Sequence, residues 1–322
     1  MDKQILNLNK FNYDEKKMNS IFKKKIEIYY NKYYHILKVV IKNKKIYFDD
    51  NGLSSRWTNN VKYYFNKILP YINFNIKIFI LMNDHITCDK YVKNEYEYNK
   101  FNKNYLLLNK YPFFSFVKPK NSNFLLIPDA FFMLNYERKN RMKIKGNFIS
   151  FLNNLNDKFK FETKKNTLLF KTNNTKYNKI KEVLSKKKIK NIEICTDNKF
   201  YDINKQYKYK HFLGLFLRWD TSFYQLLSNS LVFIIDKIHK NSKETCHFSY
   251  INFLHLYLKD NIDYIQIILD EINEKTFNIK LETIKSITNS STQKITEMTY
   301  KKVQSDFIKL IFNINKYKNK VK

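Results

Sequence analysis

IKIFILMNDHI, residues 76–86, is the stretch that decides the fold. An apolar run from Ile76 to Met82, broken only by Lys77, meets Asn83, Asp84 and His85. Apolar residues at successive positions, not only alternate ones, mark a strand buried on both faces, as in a parallel sheet under helices. The carboxyl end of such a strand is where open α/β sheets hold ligands. Polar residues there also stop a strand or cap a turn, so the run speaks for a fold class before it speaks for a function.

Reading outward, β-rich runs alternate with helical patterns, which predicts an α/β chain. YYHILKVVIKNKKIYF (33–48) reads as a strand pair about a lysine-rich turn. Val61, Tyr64, Phe65, Ile68 and Leu69 keep helical spacing until Pro70. PFFSFVK (112–118) and NFLLIPD (123–129) are short apolar runs, and residues 146–160 have a helical pattern. TLLF (167–170), NIEICT (191–196), SLVFIID (230–236) and Ile262–Ile268 are strand candidates. KYNKIKEVLSKKK and SFYQLLSN are helix candidates, and residues 270–318 read as largely helical. The strand-helix alternation restarts near residue 160, which predicts one domain over 1–160 and a second over 161–322.

The formal net charge is +31, which points first to nucleic acid or an anionic membrane. Yet arginine, the side chain suited to bidentate phosphate and base contacts, occurs only at positions 56, 138, 141 and 218. The lysines are scattered along the chain and accompany abundant Asn, Ile, Tyr and Phe, so a solvated basic surface is expected over a nucleic-acid groove. Cys88, Cys195 and Cys246 have neither zinc-ligand spacing nor an even count, which argues against a metal or disulfide framework. No window reaches the apolar length of a membrane span, and the first residues lack a signal-peptide core. A cytoplasmic setting is the expectation.

Three polar constellations follow strand candidates: Asn83-Asp84-His85, Lys171-Thr172-Asn173-Asn174, and the region from Arg218 to Ser230. A carboxylate at one strand end can act as a general base, and lysine, amide and hydroxyl groups at another can bind phosphate, though each constellation alone is a weak signal.

The order of segments from about 30 to 310 resembles the glycosyltransferase family 90 proteins, which include protein O-glucosyltransferases and lipopolysaccharide-modifying enzymes. YKYKHFLGLFLRWDTSFYQLLSNSLVFI (207–234) is similar to that family's Tyr-Lys-Tyr, spacer, helix and G-S-L-V-[FL] strand, here Asn229-Ser230-Leu231-Val232-Phe233. FLHLYLKDNIDYIQI (253–267) and LETIKSITNSSTQKITEMTYKKVQSDF resemble the closing elements. TLLFKTNNT resembles F-R-G-S-x-T, YPFFSFVKPK resembles P-x-F-S-F-x-K, and IFILMNDHI resembles the strand that ends on the catalytic aspartate.

The resemblance implies a GT-B type α/β architecture, two Rossmann-like domains facing across a cleft, and inverting transfer from a UDP-sugar without metal or other cofactor. Glucose or xylose is the implied sugar, and the acceptor is a glycan or protein hydroxyl. Asp84 takes the place of the general base. Lys171, Asn173, Thr175, Tyr209, Arg218 and Ser230 take donor-side places, with a structural role equally open for Tyr209 and Ser230. Four positions depart from the family pattern. Lys171 replaces an arginine, Thr172 a glycine and Thr221 a second arginine, and Asp263-Tyr264 stands for His-Tyr. The rival expectations are a family relative without activity that binds glycan or a partner, and a basic nucleic-acid-binding protein.

Overall fold

The computed structural model describes residues 4, 5, 7–24, 27–29, 32, 33, 35–52, 56–82, 103, 104, 106–119, 122–128, 154, 157–171, 178–187, 189, 191–195, 208–214, 222–237, 250–298 and 300–320. The chain forms two compact units. The first comprises residues 1–135, 250–256 and 300–322, and the second residues 136–249 and 257–299.

The first unit carries α1 (Glu15–Lys23), a short ribbon of β1 (Glu27–Tyr29) and β2 (Lys32–Tyr33), then β3 (Ile36–Lys42) and β4 (Lys45–Asp49). Helix α2 (Arg56–Ile68) and strands β5 (Ile76–Leu81), β6 (Phe114–Ser115), β7 (Val117–Pro119) and β8 (Leu125–Leu126) follow. The main sheet has the order β4-β3-β5-β6-β8. Its β5, β6 and β8 are parallel, whereas β3 runs antiparallel to both β4 and β5. The sheet is therefore mixed. A two-residue turn, Asn43-Lys44, with φ of 52° and 58°, joins Lys42 to Lys45. Left-handed values at both turn positions match the twist of an antiparallel hairpin and exclude a parallel pair.

One sheet face offers Leu37, Val39, Ile41, Ile76, Ile78 and Ile80 to a single apolar cluster with α2. The other face offers Ile36, Phe79 and Leu81 to Met18, Ile21 and Phe22 of α1. The same apolar cluster that contains α2 also takes in Phe307, Leu310, Ile311 and Ile314 from α6 (Tyr300–Lys320). The ring of Phe307 lies 5.8 Å from Tyr64, 5.9 Å from Phe65 and 5.7 Å from Phe114. Strand β13 (Tyr250–Asn252) pairs with β7 in the same unit. The sequence predicts one cut near residue 160; residues 250–256 and 300–322 cluster instead with the first unit, where β13 pairs with β7 and the apolar face of α6 is buried.

The second unit holds β9 (Lys165–Lys171), α3 (Asn178–Lys186), β10 (Ile192–Cys195), β11 (Tyr209–Gly214) and α4 (Ser222–Leu227). Strands β12 (Leu231–Lys237) and β14 (Ile265–Ile268) and helix α5 (Leu281–Glu297) complete it. All five strands are parallel, in the order β10-β9-β11-β12-β14. Numbered by their appearance in the chain, that order is second, first, third, fourth, fifth, as in flavodoxin-like sheets. Leu231 to Ile235 are all buried, odd and even positions alike, as a strand covered on both faces requires. Leu168, Phe170, Leu213 and Phe233 pack with Ile180 and Leu184 of α3 and Ile284 and Ile287 of α5.

The helix expected over 146–160 lies largely outside the described residues. Among the described residues no helix is long and apolar enough to cross a membrane.

Candidate functional site

The strand order of the second sheet selects one edge. Neighbours on either side of the β9–β11 boundary run off in opposite directions through the chain, which makes this boundary a topological switch point. Crossover connections leave a crevice outside the carboxyl ends of two such strands, and ligands of open α/β sheets bind there. Phe170 pairs with Leu213 across the boundary, and the next residues, Lys171 and Gly214, end their strands. Lys171 is thus at the carboxyl edge. Asn173 and Thr175, which follow β9 in sequence, and Arg218, which follows β11, lie outside the described residues.

Tyr209 and Ser230 stand at the opposite edge. Tyr209 is the first residue of β11, and Ser230 immediately precedes β12. A seven-residue strand is roughly 20 Å long, so the two edges do not share a ligand the size of a nucleotide phosphate. Ser230 is buried, and its Oγ donates to the Tyr209 carbonyl at 2.7 Å. Lys164, just before β9, donates from Nζ to Ser230 Oγ at 2.7 Å and to the Ser228 carbonyl. The Tyr209 hydroxyl donates to Glu193 Oε1 on β10 at 2.7 Å. These bonds tie together the starts of β9, β11 and β12.

The local sequence explains the network. Helix α4 leaves carbonyls without helical partners at its C-terminus. Ser291 and Thr292 of α5 supply hydroxyls to the Leu226 carbonyl at 3.3 and 3.1 Å, and Lys164 supplies its ammonium to Ser228. Asn229 turns the chain into β12 with a φ of 51°, a left-handed value that asparagine tolerates better than most residues. Burial pulls the Lys164 ammonium down to about 7.

Asp263 forms a second buried centre. Its side chain is fully enclosed and accepts from Lys259 N, Ser290 Oγ and Lys294 Nζ, each at 2.7 Å. Three donors leave the carboxylate committed to holding the turn before β14 against α5.

In the first unit, β5 reaches its carboxyl end at Leu81, and Met82 N donates to the His35 carbonyl at 2.7 Å. Asn83, Asp84 and His85 follow in sequence and lie outside the described residues. The parallel neighbour β6 ends at the buried Ser115, whose Oγ donates to the Val117 carbonyl at 2.6 Å. Lys118 follows, donating from Nζ to the Ser122 carbonyl at 3.1 Å, and burial pulls it down to about 8. An amine that titrates this close to neutrality gives up or takes a proton more readily than a surface lysine. The sequence signal for it is the closing lysine of FSFVK. Lys164 has no comparable signal, since only the fold buries it.

Among the described residues no three His, Cys, Asp or Glu side chains cluster as metal ligands would. No family model matches the chain, and no curated protein matches it.

Proposed function

We propose that this chain is an inverting glycosyltransferase that moves a sugar, glucose or xylose, from UDP to a hydroxyl of a glycan or protein. The single observation that carries the reading is the β9–β11 switch point. Two of the sequence constellations, Lys171-Thr172-Asn173-Asn174 and the region that begins at Arg218, come in the chain at the end of β9 and after β11, the two strands that flank it. The six segments resembling family 90, in their order along the chain, support the same reading, and so does Asn229. Its left-handed φ falls where the resembled motif has glycine.

In this account the two units are the halves of a GT-B enzyme. Asp84 takes the proton of the acceptor hydroxyl, whose pKa is too high for the alkoxide to form unaided. As the bond from the anomeric carbon to the diphosphate breaks, charge gathers on UDP. Lys171 and Arg218 meet it as cations, and Asn173 and Thr175 as hydrogen-bond donors. The acceptor oxygen bonds to the anomeric carbon from the opposite face, so the configuration inverts. Ser230 and Tyr209 hold the amino edge of the sheet and have no contact with donor.

The test is thermal unfolding of the full chain with UDP and a panel of UDP-sugars. A donor that binds only the folded state raises the melting temperature with concentration. UDP-glucose or UDP-xylose stabilising the chain supports the reading, and a melting curve unmoved by every nucleotide sugar overturns it. Strong, salt-dependent binding of DNA or RNA in the same preparation favours the basic nucleic-acid binder instead.

A further inference from the structure

The tip of the β3–β4 hairpin reads Lys42-Asn43-Lys44-Lys45, and all four residues are exposed. Asn43 N donates to Asn75 Oδ1 at 2.9 Å, which ties the tip to the loop that enters β5. That loop carries Phe74, whose ring meets Phe312 of α6 edge to face at 5.8 Å. Tyr71, three residues before Phe74, is 65% exposed, and Phe312 is 52% exposed. Lys316 follows Phe312 by one helical turn and is exposed on the same face of α6. Three stretches distant in sequence thus meet at one end of the first unit, beside the amino end of β5.

The charge at this end is unbalanced. No acidic residue occurs in 38–48, 66–80 or 308–320. Asp49, at the far end of β4, pairs with Lys38, and Glu15 of α1 pairs with both Lys77 and Lys318. Lys42, Lys44, Lys45 and Lys316 pair with no carboxylate among the described residues. Large rings stand open among these ammonium groups, and an exposed apolar patch rimmed by charge marks an interaction surface.

The combination selects the partner. Lysine ammonium groups are drawn to the diffuse negative field of an anionic membrane. Exposed Tyr and Phe rings gain from entering the boundary between lipid headgroups and acyl chains. A nucleic acid uses free ring faces as stacking platforms and favours arginine forks at phosphate. Phe312 is instead engaged with Phe74, and none of the three stretches holds an arginine. We propose that this end of the first unit docks on a membrane surface rich in anionic phospholipid. Tyr71 and Phe312 enter the headgroup region, and Lys42, Lys44, Lys45 and Lys316 face the lipid charge. The surface lies at the amino end of β5, opposite the end that Asp84 follows in sequence, and it stands whether or not the chain transfers sugar.

The experiment is co-sedimentation of the full chain with phosphatidylcholine vesicles, with and without phosphatidylserine, at one ionic strength. The chain is expected to sediment with the phosphatidylserine vesicles and to stay in solution with phosphatidylcholine alone. Lys44→Gln and Lys45→Gln each weaken binding by about 5-fold, and Tyr71→Ser and Phe312→Ser each by roughly 3- to 10-fold. Tyr71→Ser, at the more exposed ring, keeps the test open where Phe312→Ser loosens α6. Lys275→Gln, the same loss of charge at an exposed position of the second unit, leaves binding nearly unchanged. No sedimentation with phosphatidylserine vesicles overturns the proposal, whether or not a single-stranded oligonucleotide binds. So does a loss at Lys275→Gln equal to the losses at the tip, which makes total charge the cause, or full binding by Tyr71→Ser and Phe312→Ser.

Discussion

Phe170 and Leu213 are partners in register across β9 and β11, so Lys171 and Gly214 end neighbouring parallel strands at the one place where the strand order reverses. Under the proposed function, Lys171 is the residue at this edge that meets the donor phosphate. Lys171→Ala is expected to weaken UDP-sugar binding by about 10- to 100-fold, the value of one or two hydrogen bonds to a charged group. Lys171→Arg is expected to retain it. Calorimetric titration measures both, and equal affinity in wild type and Lys171→Ala contradicts the assignment.

Ser230 makes the opposite prediction. Its hydroxyl is enclosed between Lys164 and the Tyr209 carbonyl. Ser230→Ala should cost about 1–3 kcal/mol of stability, because it leaves a buried carbonyl and an ammonium short of a partner. Donor affinity should not change. Urea unfolding and a UDP-sugar titration separate a structural loss from a binding loss.

Lys164 gives the chain a pH signature. Its folded value is about 7, against 10.5 for the ordinary side chain. Between those values the unfolded chain holds a proton that the folded chain has released, so stability rises with pH across this window. The slope is at most roughly 1.4 kcal/mol per pH unit. Below about 7 both states are protonated and the contribution is flat. Lys164→Met removes this component, so the difference in unfolding free energy between variant and wild type should narrow or reverse as pH climbs from 7 to 10.

Asn229 carries a φ of 51° at the entry to β12. Asn229→Ala is expected to cost about 1 kcal/mol, because alanine brings its Cβ into the left-handed region without the short polar side chain that lets asparagine adopt it. Asn229→Gly should stay close to wild type. Equal losses in the two variants would mean that the Asn side chain, not the backbone, matters there.

Much of this fold is legible in the sequence where the apolar pattern is local. The runs at 76–82, 167–170 and 230–236 form β5, β9 and β12, and the helical spacing of Val61, Tyr64, Phe65 and Ile68 forms α2. Strand β11 is not legible. YKHFLG sets Lys210 and His211 inside a central strand, and that polar pair masks the period. Only the neighbours Leu168 and Leu231 explain why an imidazole is buried there. The return of α6 to the first unit is also hidden, because an amphipathic helix does not say which core its face will enter. Phe307→Ala would expose that choice: a Phe truncation in the first unit's core should cost about 3–5 kcal/mol, and it should lower the unfolding of the first unit first.

At the site, the sequence pointed to both edges of the second sheet without separating them. Lys171, Tyr209 and Ser230 all fall near strand ends, but an end is amino or carboxyl only once strand direction and boundaries are known. The buried Lys164 was hidden for a related reason: among so many lysines, only packing marks the few that are desolvated.

The most direct measurement is UDP release from the donor that stabilises the chain, comparing wild type with Asp84→Asn. The account predicts slow hydrolysis or acceptor transfer by wild type, and a loss of at least about 100-fold in Asp84→Asn, the usual share of a general base, with donor affinity retained. Equal release by the two proteins would contradict Asp84 as the base, and with it the transferase mechanism.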